Sequence, residues 1–360
     1  MSAKRFYVMN TQFPVIDERE KTILEAVVHI YITTAEPVGS RTVAKRLGLN
    51  LSPATIRNVM ADLEEMGFLA QVHTSSGRVP TDLGYKYYVA YLMKVQELSL
   101  AERERIKQEL MKKIDTADQV LKRTGYLLAL ISHQAGLAEL PAENTAVIRR
   151  IELVPLLERH VALLIVDSFG CVHTSSIVLD EAVSTQMLES LNHFLNDILF
   201  NVSIENIYSV AKENLKKNFD EQRKLAELTL KILTRIEPPT SQMFLEGTNN
   251  LFDQPEFQEP TKVRNILGIM ENPTPLIKVL RDSIAKLENP QRTVLIGPET
   301  TTEDISEFGI IASPYKIDDQ KEPAGFIGIL GPKRMPYEQF SALVDYTANM
   351  VGKILSRLWR

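Results

Sequence analysis

The stretch from residue 52 to residue 68 constrains the fold of this 360-residue chain more than any other. Ser52 is a favourable helix cap, Pro53 suits a first turn, and Gly67 can end a helix in the left-handed conformation. Between these limits the apolar side chains recur at helical spacing: Ile56, Val59, Met60 and Leu63. The segment therefore predicts an amphipathic helix with one buried face.

The opposite face of this helix carries small and hydrogen-bonding residues: Ala54, Thr55, Arg57, Asn58 and Ala61. Small residues let a backbone approach closely, while Arg and Asn can pair bidentately with guanine and adenine edges. The acids Asp62, Glu64 and Glu65 lie toward the far end, where phosphate would repel them. The pattern indicates a helix that enters a DNA major groove with its N-terminus first. A solvated surface helix is the alternative, since Arg and Asn are common on such faces.

Two more helices are predicted upstream of this third one. Asp17 can cap the first, which breaks at Pro37, and Ser40 can cap the second, which Gly48 ends. Three helices with a short connection between the last two define the helix-turn-helix arrangement. After Gly67, two short extended runs flank a turn of small residues, which predicts the hairpin wing of a winged helix.

Candidate DNA contacts fall on the second helix, the third helix and the wing. Arg57 is expected to contact a base, and Asn58 a base or a phosphate, whereas the start of the third helix offers backbone donors to phosphate. Helix capping explains Ser40 equally well, and a plain hairpin turn is the alternative for the wing tip. The complete candidate set is Ser40, Arg41, Ser52, Ala54, Thr55, Arg57, Asn58, His73, Thr74, Ser75, Ser76 and Arg78.

The distribution of charge restricts where nucleic acid can bind. The chain has a net charge of −5, but residues 1–94 carry eleven Lys and Arg against nine Asp and Glu. Only this N-terminal part can be an electrostatic footprint, and dimerisation would have to supply the remaining affinity. The lone Cys171 excludes an internal disulfide, and no apolar run approaches 18 residues. We therefore expect a cytoplasmic protein with no membrane partner.

Two long amphipathic segments have a 4-3 apolar rhythm, one at residues 100–133 and one at the C-terminus. Helices that cover one face of a sheet are the favoured interpretation, and a helical dimer seam is the alternative. Strand-like runs occur at residues 147–154, 160–166, 171–179, 293–297, 308–312 and 324–330. A helical region with a stripe of leucines separates the two sets of strands, and residues 237–272 have an irregular pattern.

These patterns predict an α+β multidomain protein. Residues 1–16 are expected to form a flexible arm and residues 17–95 the winged helix-turn-helix domain. One α+β domain spans residues 96–180 and 273–360, and a mostly helical domain, residues 181–272, interrupts it. This inserted domain is the candidate for dimerisation.

Catalytic and metal-binding interpretations are poorly supported. His160, Cys171 and His173 could approach one another on neighbouring strands, but neither their number nor their spacing matches a known zinc pattern. Gly325, Gly328 and Gly331 have the wrong spacing for a phosphate-binding loop. We expect no cofactor, no metal and no enzymatic activity.

Several blocks of sequence are distinctive in combination. They are EPVGS at residues 36–40, SPATIRN at 52–58, HTSSGRVPTD at 73–82, GY at 84–85, PEF at 255–257, LIG at 295–297, and GILGPKRM at 328–335 with Tyr337. Together they resemble the HrcA family of bacterial heat-inducible transcription repressors. The resemblance runs from about Asp17 to the C-terminus.

The resemblance implies a winged-helix DNA-binding domain, a GAF-like domain and a dimerising domain inserted into the latter. It also implies repression of chaperone operons through an inverted-repeat operator, the CIRCE element, and control by the GroEL-type chaperonin. The chain departs from the family pattern at Val72, where proline is expected, and at Pro298 and Thr300, where serine and asparagine are expected. A winged-helix regulator whose GAF-like domain senses a small molecule is the alternative function.

Overall fold

The computed structural model describes most of the chain. The described residues are 13–48, 51–72, 77–112, 116–140, 147–168, 172–203, 206–217, 243–285, 293–297, 305–317 and 323–358. Within them, no helix combines the length and the apolar character that crossing a membrane requires.

Residues 13–92 form an N-terminal unit that we call the head. Its helices are α1 (Glu18–Thr34), α2 (Ser40–Leu47), α3 (Pro53–Glu65) and α4 (Asp82–Tyr87), followed by a π-helical turn at Tyr88–Leu92. Its strands are β1 (Leu69–Gln71) and β2 (Arg78–Pro80), which pair antiparallel. Val38 extends this hairpin on the other side, since its backbone exchanges hydrogen bonds of 2.8 and 2.9 Å with Arg78. The head is a winged helix-turn-helix, as the sequence predicts.

Local chemistry fixes the helix ends of the head. The Glu20 amide donates to the Asp17 side chain at 2.8 Å, and the Thr55 amide donates to Ser52 Oγ at 3.1 Å. Gly67 has φ +82°, and the Phe68 amide donates to the Leu63 carbonyl at 2.9 Å, which closes a Schellman motif after α3. The predicted N-caps, Asp17 and Ser52, and the predicted end of α3 at Gly67 are therefore confirmed.

Two expectations for the head need correction. Gly39 is the N-cap of α2 and has no side-chain cap, so Ser40 is the first helical residue rather than the cap. The predicted arm is also shorter than 16 residues, because the Phe13 ring packs edge-on against Tyr87 at 5.4 Å and Ile16 is buried. Residues 1–12 of the arm lie outside the described residues.

The rest of the chain contains two sheets with helices around them. The strands are β3 (Ala135–Glu139), β4 (Ile148–Leu157), β5 (His160–Asp167), β6 (Val172–Val178), β7 (Met243–Glu246), β8 (Thr293–Ile296), β9 (Phe308–Tyr315) and β10 (Gly325–Pro332). The helices are α5 (Leu100–Leu110), α6 (Ala117–Ser132), α7 (Thr185–Leu199), α8 (Ile207–Lys217), α9 (Asn249–Phe252), α10 (Pro260–Glu271), α11 (Thr274–Ala285) and α12 (Tyr337–Leu358). A 3₁₀ turn spans Pro255–Phe257.

The larger sheet is antiparallel with the strand order β7-β3-β10-β9-β8, and we call it and its flanking helices the body. Ile311 faces a cluster that includes α6 and α12, while its neighbour Ile310 faces a second cluster that includes α10 and α11. Both helices with the 4-3 rhythm therefore pack on one face of this sheet, which is the favoured of the two predicted arrangements. The predicted segment 100–133 is broken between α5 and α6.

The smaller sheet has the order β4-β5-β6 and is hydrogen-bonded to no strand of the larger sheet within the described residues. Helix α7 packs on it, and the predicted leucine stripe is fully buried there: Leu188, Leu191, Leu195 and Leu199. The side-chain amides of Asn192 and Asn196 each exchange hydrogen bonds of 2.7–3.2 Å with the backbone of β4, so they cover this edge of the sheet.

The sheet topology divides the chain differently from the sequence-based domain boundaries. The sequence pattern predicts that the strands within 148–178 belong to the α+β domain, but they form a separate sheet with α7. The sequence pattern also predicts that residues 243–271 belong to the inserted domain, but β7 pairs with β3 and α10 packs on the larger sheet. The inserted unit therefore contains the smaller sheet with α7 and α8, and it mixes strands with helices.

Candidate nucleic-acid interface

Helix α3 turns one face into the head and the other face outward. The predicted apolar stripe is buried, with Ile56 and Leu63 fully inaccessible. Ala54, Arg57 and Asn58 are exposed on the opposite face, and Thr55 is half-buried beside them. The surface that the sequence predicts for DNA contact is therefore accessible.

The charges along α3 favour DNA approach at its N-terminal end. Ser52 and Pro53 leave this end exposed, and no acidic residue occurs in the first turn. Arg57 forms no ion pair with any described residue, so its guanidinium is available to a base or a phosphate. An N-terminus of this kind also presents backbone N–H groups that attract phosphate.

Helix α2 supplies a second basic surface. Arg41 is exposed and Ser40 is half-buried at its first turn, where backbone donors are unsatisfied. Lys45 and Arg46 are exposed in its last turn, and Arg46 Nη2 lies 2.9 Å from His29 Nε2 of α1. Ser40 and Arg41 are therefore accessible to a DNA phosphate, as their predicted role requires.

The wing differs from its prediction in one respect. His73, Thr74, Ser75 and Ser76 lie outside the described residues. Arg78 is not a free charge, because its Nε lies 2.7 Å from Glu64 Oε2 of α3 and its side chain is only 18% exposed. Arg78 therefore stabilises the head from within, and sequence reasoning missed this role because no spacing signal links it to Glu64.

Gly77 shows why the wing base needs a glycine. A Cβ atom at this position would lie 2.4 Å from both the carbonyl carbon and the oxygen of Val38. Real Cβ atoms do not approach backbone this closely, so a side chain here would force apart the pairing between Val38 and β2.

The alternative chemistries find no support in the described part of the chain. His160 lies opposite Val178 and His173 opposite Ile165, so the two histidines are at different ends of the sheet, and His173 Nε2 is 2.9 Å from Asp167 Oδ2. No described group of three His, Cys, Asp or Glu residues is arranged to hold a metal ion. Cys171 lies outside the described residues.

The glycines of β10 serve packing rather than phosphate binding. A Cβ at Gly328 would lie 2.3 Å from the Ile311 carbonyl oxygen of the neighbouring strand. The close contact between β10 and β9 therefore explains why residue 328 is a glycine, without a phosphate-binding loop.

A helix-turn-helix, a paired wing and an accessible polar face on the third helix define a winged-helix DNA-binding protein. Family comparison agrees with this class. Residues 16–91 match the family described as "Winged helix-turn-helix transcription repressor, HrcA DNA-binding", and residues 118–340 match "HrcA protein C terminal domain". The chain belongs to the HrcA family of heat-inducible transcription repressors, a family of regulators rather than enzymes.

Individual relatives extend the similarity over nearly the whole chain. The heat-inducible transcription repressor HrcA of Pelotomaculum thermopropionicum is 36% identical over 348 residues, which are 96% of this chain and 98% of that protein. The HrcA protein of Geobacter sulfurreducens is 38% identical, covering 94% of this chain and 98% of its own length. A crystal structure described as a hypothetical protein has a TM-score of 0.58 at 24% identity, with 96% of this chain and 100% of that chain covered, which supports the fold alone.

Proposed function

We propose that this chain represses chaperone operons by binding an inverted-repeat operator, the CIRCE element, as a homodimer. The outward face of α3 is the single observation that carries the proposal, because it presents Arg57 and Asn58 beside small residues. Family membership supports heat-inducible repression. The operator, the dimer and the chaperonin come from the resemblance and are parts of the proposal.

Each candidate residue has a distinct expected role at the operator. Arg57 reads a base edge, and Asn58 contacts a base or a phosphate. Thr55 offers a methyl group to thymine or a hydroxyl to phosphate, while the α3 N-terminus at Ser52 and the first turn of α2 at Arg41 hold phosphates. In a two-fold dimer the half-site centres would be about 10–10.5 bp apart, or at a multiple of this distance.

The outer face of the smaller sheet is our candidate for the dimer contact. Helix α7 covers the inner face, but the outer face has no covering element among the described residues. This outer face mixes apolar residues with Arg150, Glu152, His160, Thr174 and Ser176. The apolar residues that the strand register places on this face are Val154, Leu157, Ala162, Leu164, Val166, Val172 and Val178. Burying such a patch against a second copy would remove it from water.

Charge introduced into this face tests the dimer directly. We expect Val154→Glu with Val172→Glu to give a monomer by sedimentation velocity and to weaken binding to an inverted repeat. Leu100→Glu is the matched control, because Leu100 is also exposed but lies on α5 of the body. A dimer that survives the double substitution would refute this interface.

We also propose that a GroEL-type chaperonin keeps the repressor active. An electrophoretic shift of inverted-repeat DNA, with and without chaperonin, tests both parts of the proposal. Operator affinity should rise when chaperonin is present. An unchanged affinity would remove the chaperonin from the mechanism, and equal binding to scrambled DNA would remove the operator.

A small-molecule effector is the second candidate, and one cleft favours it. A space of about 660 Å³ between α5 and α6 is lined mainly by basic side chains and Tyr126, with two acids, Glu109 and Glu246, at its side. The basic residues are Arg105, Lys112, Lys122 and Arg123. Such a lining suits an anionic aromatic ligand. Melting curves with a panel of anionic metabolites test this function, because a ligand that binds the native state raises the midpoint. The absence of any shift would leave chaperonin control as the regulatory mechanism.

A further inference from the structure

The sequence blocks behind the family resemblance lie far apart in the chain but meet where the head contacts the body. Asp82 and Tyr85 belong to the head, whereas Gly297, Lys333 and Tyr337 belong to the body. The buried apolar clusters of the head and of one body face are also continuous. We call this contact region the junction.

An ion pair fixes one side of the junction. Lys333 Nζ lies 2.8 Å from Asp82 Oδ1 and 3.0 Å from Asp82 Oδ2. Gly297 has φ +70°, and a Cβ there would stand 2.1 Å from Asp82 Oδ2. The Asp82 carboxylate therefore fits against the end of β8 only because this position is glycine.

A second polar contact lies on the other side of the junction. The buried Tyr88 hydroxyl donates to Glu338 Oε1 in the first turn of α12, and His29 Nδ1 lies 4.0 Å from the same oxygen. The Gln96 amide donates to the Glu338 carbonyl at 3.3 Å. Burial raises the pKa of Tyr88, with the Glu338 charge as a further cause, so the hydroxyl remains a donor at neutral pH.

The body holds its half of the junction firmly. Tyr337 is fully buried, and its hydroxyl donates to the Lys333 carbonyl at 2.6 Å. Arg334 pairs with Glu256 on the neighbouring 3₁₀ turn. The Tyr85 and Tyr337 rings lie 6.3 Å apart across the contact. The segment that carries Lys333 is thus anchored before it reaches the head.

The head connects its half of the junction to α3. Thr81 caps α4 and its Oγ1 donates to the Gly67 carbonyl at 2.6 Å, immediately after α3. A Cβ at Gly84 would lie 2.2 Å from the Phe68 carbonyl oxygen, so α4 packs directly on this backbone. Asp82 is therefore one residue from the contact that holds the end of the recognition helix.

We propose that Asp82, Lys333, Tyr88 and Glu338 are positioning residues, which fix the orientation of α3 relative to the body. In a dimer joined through the body or its insertion, this orientation sets the spacing between the two recognition helices. The inference rests on the proposed function for its operator readout, since a second half-site is bound intramolecularly only when the spacing fits. A loosened junction leaves the contacts of each α3 with its half-site intact. It lowers the effective concentration of the second α3 at the second half-site.

The first test measures DNA affinity for Asp82→Asn, Lys333→Gln and the exchanged pair Asp82→Lys with Lys333→Asp. Probes are an inverted repeat, the same repeat with its half-site spacing changed by about half a helical turn, ~5 bp, and a single half-site. Each single substitution should weaken binding to the correctly spaced repeat by about tenfold and leave single half-site binding unchanged. The exchanged pair should restore the affinity. Lys112→Gln, just beyond the end of α5, breaks an ion pair with Glu109 outside the junction and should have no effect.

Equal losses on the repeat and on the half-site would overturn the inference, because they would indicate a damaged head. Unchanged spacing preference in both single variants would also overturn it. Tyr88→Phe removes only a hydroxyl and provides a second variant with little risk to folding; it should relax the spacing preference in the same direction.

A second readout separates this inference from the proposed function. Spin labels at Lys45→Cys in the head and Lys107→Cys in the body, in a Cys171→Ser background, report the head-to-body distance without DNA. We expect one narrow distribution in the unaltered junction and a broad one in Asp82→Asn. If the distributions do not differ, the positioning role is wrong. If they differ while the protein shows no preference for the repeat over a half-site, the operator proposal fails and the junction stands.

Discussion

Arg78 Nε lies 2.7 Å from Glu64 Oε2, so the first residue of the second wing strand is tied to the last turn of α3. The two side chains are 18% and 32% exposed, respectively. The pair fixes the angle between α3 and the wing, and it neutralises an acidic group close to the expected DNA surface. A residue expected to contact DNA therefore has an architectural role.

A double-mutant cycle measures this role. Arg78→Ala and Glu64→Gln should each destabilise the protein, and their coupling energy should be about 1 kcal/mol or less by urea unfolding, because both side chains remain partly solvated. The Glu104–Lys107 pair on α5 is the control, since at 3.7 Å and higher exposure it should show almost no coupling. Strictly additive effects for Arg78 and Glu64 would contradict the architectural role.

Two glycines should respond to alanine in opposite directions. Gly67→Ala should lower the unfolding free energy by about 1–2 kcal/mol, because φ is +82° and a side chain disfavours this conformation. A clash does not contribute, since the nearest atom to the added methyl group is Leu83 Cδ2 at 3.7 Å. Gly268→Ala, in the last turn of α10, meets open space and should stabilise by about 0.5–1 kcal/mol. Thermal unfolding of both variants checks whether one substitution lowers the stability and the other raises it. Stabilisation by Gly67→Ala would contradict the left-handed conformation.

The stability of the protein should depend on pH through the buried carboxyl of Glu139. Burial raises its pKa from 4.5 to about 7, although Arg281 Nε at 2.6 Å favours the charged form. Between about pH 4.5 and 7 the unfolded chain loses this proton while the folded protein keeps it, so stability due to this group falls as the pH rises. Below that range the carboxyl is neutral in both the folded and the unfolded state. Above it the carboxyl is charged in both states, and its contribution to stability no longer changes with pH.

The measurement compares wild type with Glu139→Gln, which keeps the shape but does not titrate. From about pH 4.5 to about pH 8, the unfolding free energy of wild type should fall relative to that of the variant. A relative gain for wild type over this interval would show that Arg281 dominates and that the pKa is depressed instead.

Local features of the head could be predicted because single side chains determine them. Asp17 and Ser52 form their caps with neighbours three residues away, and Gly67 relieves a local backbone constraint. The buried stripe of α3 follows from helical periodicity alone. The accessible face of α3 then follows as its complement, which is why the central part of the candidate site was predictable.

Long-range pairing was not predictable in the same way. Strand β3 is buried at every position and lacks an alternating pattern, and β7 lies in a region with an irregular composition. Their pairing places Leu137 opposite Leu245, more than a hundred residues away, and no local signal encodes that choice. Similarly, the alternation in β5 predicts a strand but does not say which sheet it joins.

The ion pair of Arg78 was not predictable for a related reason, and its contact with DNA stays a prediction. Arg78 follows a small-residue turn, which is typical of a DNA-contacting tip, and only the folded hairpin brings it to Glu64. The junction residues were also recognisable only as motifs, because Asp82 and Lys333 are 251 positions apart. Electrostatic partners across such separations become visible only after the topology is known.

The most direct test of the account is the affinity of Arg57→Ala for an inverted-repeat operator and for random DNA of equal length, at one salt concentration. Arg264→Ala, an exposed substitution on α10, is the control. We predict that Arg57→Ala loses about 1–3 kcal/mol on the operator and far less on random DNA. An equal loss on both sequences, or no loss on the operator, would contradict base reading by α3.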